Sequence, residues 1–280
     1  MIVFFNGQFL PESRALVSVF DRGFLYGDAL FETVPMHRGR PFLWEQRLAR
    51  LAQGLKFLQI SLPIAPAALR AAAIRLTQRN NLPDAILRLT VSRGVAARGY
   101  SPKNAASPAV VMTLHPLPNP HARKLPRWRV ITSSFRVPLG DPLTAFKTAN
   151  KLPQVLARAE ADAARADEAL LLNAKGFLAE AAASNLFWIQ RGAICTPPLT
   201  AGALPGVTRA LIFDLCRALN LRAKEVNARP AVLPAAAGAF LTLSSLGIVE
   251  IESLDGTALR SSPLVKEIWR AYRQRVAADA

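Results

Sequence analysis

The sequence predicts an α+β protein of two domains, and three observations support this class. Short apolar runs flank tight-turn residues, which is typical of β-hairpins. Between them lie longer segments whose apolar residues recur at the spacing of an α-helix. The stretch HPLPNPHARKLP (115–126) is rich in proline, which indicates a linker. We therefore predict a small domain at 1–118, a linker at 119–127 and a larger domain at 128–280.

The first half is predicted to be α+β, with strands that pair locally. IVFFNGQFL (2–10) predicts a hairpin because its apolar runs surround Asn6-Gly7, and ALFETVPMHRGRPFLW (29–44) predicts another. Helices are expected at 45–60 and 65–81, and two more strands at 85–94 and 109–117.

The second half is predicted to combine strands with three helices. Strands are expected at 128–136, 168–197 and 238–256, the middle one broken by turns at 174–176 and 191–192. Helices are expected at 151–166, 206–220 and 263–277. Lys147 therefore falls in a turn between a strand and a helix.

Composition excludes several classes of protein. No apolar run reaches the roughly 20 residues that cross a bilayer, and the N-terminus lacks the basic start and cleavage site of a signal peptide. The two cysteines and three histidines show no metal-ligand spacing. We expect a cytoplasmic protein with no membrane segment and no metal.

The net charge of +16 favours anionic partners. The arginines are spread along the chain, and no zinc finger, RNP-like motif or basic stripe interleaved with aromatic residues accompanies them. We therefore expect a small anionic ligand and no nucleic acid. A basic nucleic-acid-binding protein without catalysis is the alternative from another class.

Two ionisable residues stand in unusual positions. A lysine amine becomes a nucleophile only when it is neutral, so Lys147 would need desolvation or a neighbouring cation; a solvated loop lysine is the alternative. Glu180 stands between apolar strand residues and the small residues 181–184. It is either a surface carboxylate at a strand end or a buried one that needs a partner such as a protonated ring nitrogen.

Two further features could bind a phosphate. LPGVTR (204–209) ends a loop and opens a helix, whose free N–H groups suit an anion, although an ordinary helix cap is the alternative. Arg50 could direct its guanidinium at a phosphate or lie on the polar face of its helix. An aldehyde for the lysine, a ring nitrogen for the carboxylate and a phosphate describe one ligand, pyridoxal phosphate.

The order of these motifs resembles the class IV aminotransferase family, the fold-type IV enzymes that use pyridoxal phosphate. The matching stretches are DRGFLYGDALFET (21–33), EQRLARL (45–51), KTANKLPQVLARAEA (147–161), DEALLLNAKGFLAEAAASNLFWI (167–189), TPPLTAGALPGVTR (196–209) and LTLSSLGIVEI (241–251). The resemblance implies a homodimer whose subunit has a small N-terminal α+β domain and a larger C-terminal domain, with the cofactor between them.

The resemblance also implies roles for individual residues. Lys147 is implied to be the catalytic residue that bonds covalently to the aldehyde of the cofactor, and Glu180 to be the partner of its pyridine nitrogen. The implied phosphate ligands are Arg50, Val207, Thr208 and Ser244. The family often has histidine at the position of Arg47, so this chain carries an added charge there.

Within the family, the pattern is closest to aminodeoxychorismate lyase. A basic residue, Lys151, follows Asn150 where branched-chain aminotransferases typically have tyrosine, and Phe31 stands where D-amino-acid aminotransferases usually have tyrosine. The stretch VSRGVAARGYSP (91–102) is similar to a lyase segment whose arginine and tyrosine reach the substrate. The implied substrate-binding residues are Arg98, Tyr100 and Thr33.

This pattern implies a 4-amino-4-deoxychorismate lyase, which eliminates pyruvate and forms 4-aminobenzoate, a folate precursor. The alternative is an aminotransferase that acts on D-amino or branched-chain amino acids. The two reactions share their first step, so the sequence alone separates them poorly.

Overall fold

The computed structural model describes residues 1–105, 107–118 and 122–279. These divide into two compact units. The first contains the described residues up to 118 together with Phe146–Asn150 and Asp279, and the second contains 122–145 and 151–278. The predicted linker falls partly on residues 119–121, which lie outside the described residues, and the predicted domain bounds stay a prediction.

The first unit contains a six-stranded antiparallel sheet and two long helices. Its elements are β1 (Ile2–Phe5), β2 (Gln8–Pro11), α1 (Arg22–Tyr26), β3 (Ala29–His37), β4 (Arg40–Pro41), α2 (Trp44–Leu58), α3 (Pro66–Arg79), β5 (Ala85–Ser92) and β6 (Val110–Pro116). The strand order is β2-β1-β6-β5-β3-β4. Both predicted hairpins are confirmed, by the β1–β2 and β3–β4 pairs.

The predicted local pairing of these strands does not describe all the neighbours of β1. This strand also pairs with β6, where Phe4 lies opposite Met112. A two-stranded hairpin has too small a core to be stable alone. Both residues are buried in the core of the unit, so the distant pairing covers apolar surface that the hairpin would expose.

Helices α2 and α3 cover one face of this sheet. Leu48, Leu51 and Leu55 of α2 share a core with Leu30 and Val34 of β3. Because side chains alternate along a strand, the even-numbered residues of β3 face the helices and the odd-numbered ones face the other side. We call the two sides the helix-covered face and the open face.

The second unit contains a nine-stranded mixed sheet. Its elements are β7 (Arg127–Val137), α4 (Leu152–Ala163), β8 (Glu168–Asn173), β9 (Leu178–Ala181), β10 (Asn185–Gln190), β11 (Ala193–Thr196), α5 (Val207–Ala218), β12 (Ala223–Glu225), α6 (Val232–Ala235), β13 (Ala239–Leu243), β14 (Gly247–Leu254), β15 (Thr257–Ala258) and α7 (Pro263–Asp279). The strand order is β12-β11-β10-β13-β14-β7-β8-β9, and β15 pairs with β14. The pairs β11–β12, β14–β7 and β7–β8 are parallel.

Aromatic side chains join α5 to the sheet of the second unit. Phe187 of β10 stacks on Phe240 of β13 with ring centroids 5.0 Å apart, and Phe213 of α5 meets Phe187 edge-on at 6.2 Å. Asn185 and Thr242 lie two residues from these phenylalanines on the same strands, so they share the face toward α5. This arrangement brings them toward the first turn of the helix.

None of the helices in the described part of the chain is both long and apolar enough to span a membrane.

Candidate active site

Lys147 lies in a short segment that pairs with the start of β3. Phe31 N donates to Lys147 O at 3.0 Å, and Ala149 N donates to Ala29 O at 2.8 Å. Thr148, opposite Leu30, is buried. These bonds fix the backbone on both sides of the lysine, although the chain before and after it belongs to the second unit. The backbone at Lys147 is therefore held by hydrogen bonds to β3 and is not an open loop.

The side chain of Lys147 lies beside a ring that also carries an arginine. Its Nζ is 4.6 Å from the centroid of Phe31, and the guanidinium carbon of Arg88 on β5 is 3.7 Å from the same centroid. Burial lowers the pKa of Arg88 from its ordinary value. No residue in the described part of the chain accepts a hydrogen bond from Arg88. A desolvated guanidinium without an acceptor suits an anionic ligand.

Thr33 shares the open face with Phe31 and lies opposite Arg88 in the β3–β5 pair. Three groups suited to a substrate are therefore close together on this face: an amine, a hydroxyl and a guanidinium. Lys147 and Thr33 were predicted site residues; Lys147 lies opposite Phe31, and Thr33 lies two residues further along β3.

The helix-covered face of β3 holds a buried ion pair. Arg50 on α2 donates from Nε and Nη2 to the two carboxylate oxygens of Glu32, each at 2.7 Å. Its neighbour Arg47 is buried and donates to the carbonyl of Thr33 at 2.6 Å and to that of Phe42 at 3.3 Å. Both arginines therefore tie α2 to the sheet. The predicted contact of Arg50 with a phosphate stays a prediction.

Arg98 and Tyr100 lie in the loop that follows β5, and both are exposed. The ring of Tyr100 is 86% exposed and lies 5.4 Å from that of Tyr26. Their predicted contact with a substrate stays a prediction.

Glu180 and Asn185 bind the backbone N–H and C=O of one residue, Leu204, in the second unit. The Oε2 atom of Glu180, on β9, accepts from Leu204 N at 2.9 Å. Asn185 Nδ2 donates to Leu204 O, also at 2.9 Å. Glu180 is partly buried, and the small residues 181–184 follow it directly. The carboxylate predicted to meet a ring nitrogen therefore also fixes the chain that leads into α5.

Helix α5 begins without a side-chain cap in the part of the chain that the structure describes. Its N-cap is Gly206, and a Cβ there would overlap the side-chain oxygen of Asn185. The N–H groups of a first helical turn have no partner within the helix, so this end suits an anion. Val207 and Thr208 form this turn, and Ser244 follows the last residue of β13. The predicted contacts of Val207, Thr208 and Ser244 with a phosphate stay a prediction.

Comparison with known proteins identifies the family. The family model for amino-transferase class IV matches residues 29–254. The chain belongs to the class IV aminotransferase family. Its predicted fold class is thereby confirmed, as is its dependence on pyridoxal phosphate.

Individual relatives agree with this assignment. A Methanocaldococcus jannaschii protein provisionally named a branched-chain-amino-acid aminotransferase is 32% identical and covers 98% of this chain and 95% of its own length. The aminodeoxychorismate lyase of Bacillus subtilis is 30% identical, and the match covers 91% of this chain and 87% of the lyase. The solved branched-chain amino acid aminotransferase of Escherichia coli has a TM-score of 0.89 at 26% identity and covers 97% and 92%.

The residues present fit the cofactor of this family. The uncapped start of α5 suits its phosphate, and the hydroxyl of Thr242, on the face toward α5, is buried without a hydrogen-bond partner among the described residues. Lys147 provides an amine and Glu180 a carboxylate. No group of three potential metal ligands occurs among the residues described.

Sequence reasoning missed three residues that shape these sites. Arg88 interrupts the apolar strand AILRLTVS, and that position is a signal the sequence does contain. Glu32 and Asn185 were missed because their partners, Arg50 and Leu204, are 18 and 19 residues away.

Proposed function

We propose that the protein is a 4-amino-4-deoxychorismate lyase, which eliminates pyruvate and forms 4-aminobenzoate. The observation that carries this proposal is a pair of arginines in the first unit, Arg88 and Arg98. Neither has a carboxylate partner among the described residues. The proposed substrate is a dianion, so two such arginines match its two carboxylates, one each.

The proposed cofactor contacts are those that the resemblance implies. Lys147 Nζ would bind its aldehyde, Glu180 would accept a hydrogen bond from its protonated ring nitrogen, and the phosphate ligands would be Arg50, Val207, Thr208 and Ser244. When bound, pyridoxal phosphate supplies an electron-accepting ring that stabilises negative charge on the substrate carbon next to the amine.

The chain's own residues would bind the substrate and move its protons. Lys147 Nζ would take the proton from the carbon that carries the amine, because it lies 4.6 Å from the centroid of the Phe31 ring on the open face and acts as base once released. The ether bond to the enolpyruvyl group then breaks, the group leaves as enolpyruvate, which takes up a proton to become pyruvate, and the ring becomes aromatic. Arg88 and Arg98 would hold the carboxylates, while Thr33 and Tyr100 would orient the substrate.

An aminotransferase acting on D-amino or branched-chain amino acids is the second candidate. The names of several relatives favour it, including that of a D-alanine aminotransferase 27% identical to this chain. In that reaction Lys147 would deliver the proton to a carbon of the cofactor. A keto acid would then be needed to accept the amino group. The requirement for an acceptor separates the two functions.

We also propose that the protein is a cytoplasmic homodimer whose subunit has domains at 1–118 and 128–280. Helix α4 supports association, because Leu152, Val155 and Leu156 form an exposed apolar stripe on it. The expected mass in solution is twice that of the 30.4 kDa chain.

The test is the release of 4-aminobenzoate from 4-amino-4-deoxychorismate without any keto acid. We expect release by the wild type, and a loss of about 1,000-fold or more in Lys147→Arg, which keeps the charge and removes the reactive amine. Borohydride should fix the cofactor on Lys147 in the wild type, as mass spectrometry would show. Turnover only of an amino-acid donor with a keto acid would overturn the lyase proposal and support the aminotransferase.

A further inference from the structure

The loop that carries Arg98 and Tyr100 has little apolar contact of its own. Tyr100 is largely exposed, Arg98 and Ser101 are exposed too, and Gly99 adopts a φ of 110°, which an L residue rarely adopts. A loop with so little buried surface needs polar contacts to keep one conformation. Its backbone carbonyls provide them.

The backbone carbonyls of residues 99, 100 and 101 all accept hydrogen bonds from one buried arginine, Arg22. Arg22 donates from Nη1 to Gly99 O at 2.8 Å and to Ser101 O at 3.3 Å, and from Nη2 to Tyr100 O at 3.0 Å. Its side chain is 5% exposed. The guanidinium is planar and presents its donors in a fixed fork, so these bonds fix the orientation of the loop as well as its position.

Arg22 is itself fixed by the start of α1 and by a carboxylate. Its Nε donates to Asp28 Oδ2 at 2.9 Å, and its backbone N donates to Gly94 O at 2.9 Å. Asp21 caps the helix by accepting from Gly23 N at 2.7 Å, and Ser92 Oγ donates to the same carboxylate at 2.7 Å. The arginine is therefore held rigidly against the end of β5, from which the loop departs.

We propose that Arg22 is a positioning residue that holds the 98–101 loop so that Arg98 and Tyr100 present one arrangement to a substrate carboxylate. The role of the loop in binding substrate rests on the proposed function. The anchoring of the loop by Arg22 rests on the hydrogen bonds described above. Arg22 itself does not touch the substrate. Its contribution is to remove the cost of ordering the loop when the substrate binds.

The chain offers a matched control in Arg93. This arginine is also buried and shares Asp28, with Nε at 2.7 Å from Oδ2. Its remaining donors bind Leu58 O at 2.8 Å and Gln59 O at 3.3 Å, at the end of α2. Arg22 and Arg93 thus differ in what they hold, while they share a carboxylate and a degree of burial.

The experiment compares Arg22→Lys with Arg93→Lys in the cofactor-loaded protein. Lysine keeps the charge but cannot bind three carbonyls in one plane. In Arg22→Lys we expect the KM for 4-amino-4-deoxychorismate to rise about 10- to 100-fold, with kcat changed by less than about 3-fold. In Arg93→Lys we expect a lower melting temperature and a KM within about 2-fold of the wild type.

A second readout does not depend on activity. Trypsin cleaves after Arg98 and Lys103, and cleavage of a folded protein tracks local opening. We expect cleavage there to be about 10-fold faster in Arg22→Lys than in Arg93→Lys. Equal cleavage in the two variants would overturn the anchoring. Faster cleavage with an unchanged KM in an active enzyme would overturn the positioning role.

A third variant covers the case in which Arg22→Lys fails to fold. Gly99→Ala strains the loop at its positive φ without touching the arginine, since a Cβ there meets open space. We expect the same rise in KM and in cleavage, and unchanged values would overturn the proposal. If the wild type shows no lyase activity, the proposed function fails while the cleavage comparison still decides the anchoring.

Discussion

Arg50 and Arg88 lie on opposite faces of the six-stranded sheet and differ in their contacts. On the helix-covered face, Arg50 has both oxygens of Glu32 at 2.7 Å, in a pair whose side chains are 10% and 2% exposed. On the open face, Arg88 lies over the ring of Phe31 and no described residue accepts from it. Arg50 is neutralised by a carboxylate of the chain, whereas Arg88 is desolvated over the ring that Lys147 also contacts.

The difference indicates which arginine is paired within the fold and which is left for a substrate. A buried charge without a partner is costly, so an unpaired arginine persists where a ligand completes it. A fully paired arginine contributes to the fold and has fewer donors left for a ligand. Three variants sharpen this contrast.

Removal of the carboxylate on the helix-covered face should have the largest effect. Glu32→Gln leaves Arg50 buried without its counter-charge, which costs about 3–5 kcal/mol in other proteins. We expect a loss of this size in the free energy of unfolding, measured by urea denaturation. A loss below about 1 kcal/mol would mean that Arg50 finds another partner and that the two faces are more alike than they look.

Removal of the cation on the open face should affect binding instead of stability. Arg88→Met keeps an unbranched apolar side chain over Phe31 and removes the guanidinium. We expect KM for the dianionic substrate to rise about 10- to 100-fold, because a hydrogen bond to a charged group contributes about 1.5–3 kcal/mol. The free energy of unfolding should not fall, because the variant removes a desolvated charge that has no acceptor among the described residues. A destabilised variant with normal KM would show that Arg88 belongs to the fold.

A third variant tests whether carboxylate-paired arginines make stability sensitive to acid. Burial raises the pKa of Asp28, but hydrogen bonds from Arg93 and Arg22 outweigh it and hold the pKa below its ordinary value of 3.8. A carboxyl group whose pKa is lowered by folding stabilises the protein above its unfolded pKa, and this contribution is lost as pH falls below about 3.8.

We expect Asp28→Asn to melt roughly 2–4 °C lower than the wild type at pH 7, a shift typical of about 1 kcal/mol in a chain of this size. The difference should shrink as pH falls through 3.8, and scanning calorimetry between pH 7 and pH 3 measures it. A difference that does not change with pH would mean that Asp28 acts through its shape rather than its charge.

Local elements could be predicted from the sequence because their causes are local. Asn6-Gly7 makes the β1–β2 hairpin, and the apolar spacing of 48, 51 and 55 makes α2. The pairing of β1 with β6 could not be predicted, because Phe4 and Met112 are more than a hundred residues apart. No local pattern records which distant strand covers a hairpin.

In the candidate site too, local motifs could be recognised in the sequence and contacts between distant residues could not. Lys147 and Glu180 were proposed from motifs, but the contacts that fix their positions could not be predicted. The pairing of Lys147 with Phe31 and the bond from Leu204 to Glu180 both join distant parts of the chain. Arg88 could have been noticed as a charge within an apolar strand, yet only the fold shows that nothing described accepts from it.

The two hydrogen bonds to the backbone of Leu204 limit where the sequences of relatives can be joined in a chimera. Glu180 and Asn185 bind its backbone N–H and C=O, and a Cβ at position 206 would overlap the side chain of that asparagine. A chimera with a crossover inside residues 186–203 would join a carboxylate and amide from one parent to a loop from another. Residues 180–208 therefore have to be exchanged as one block.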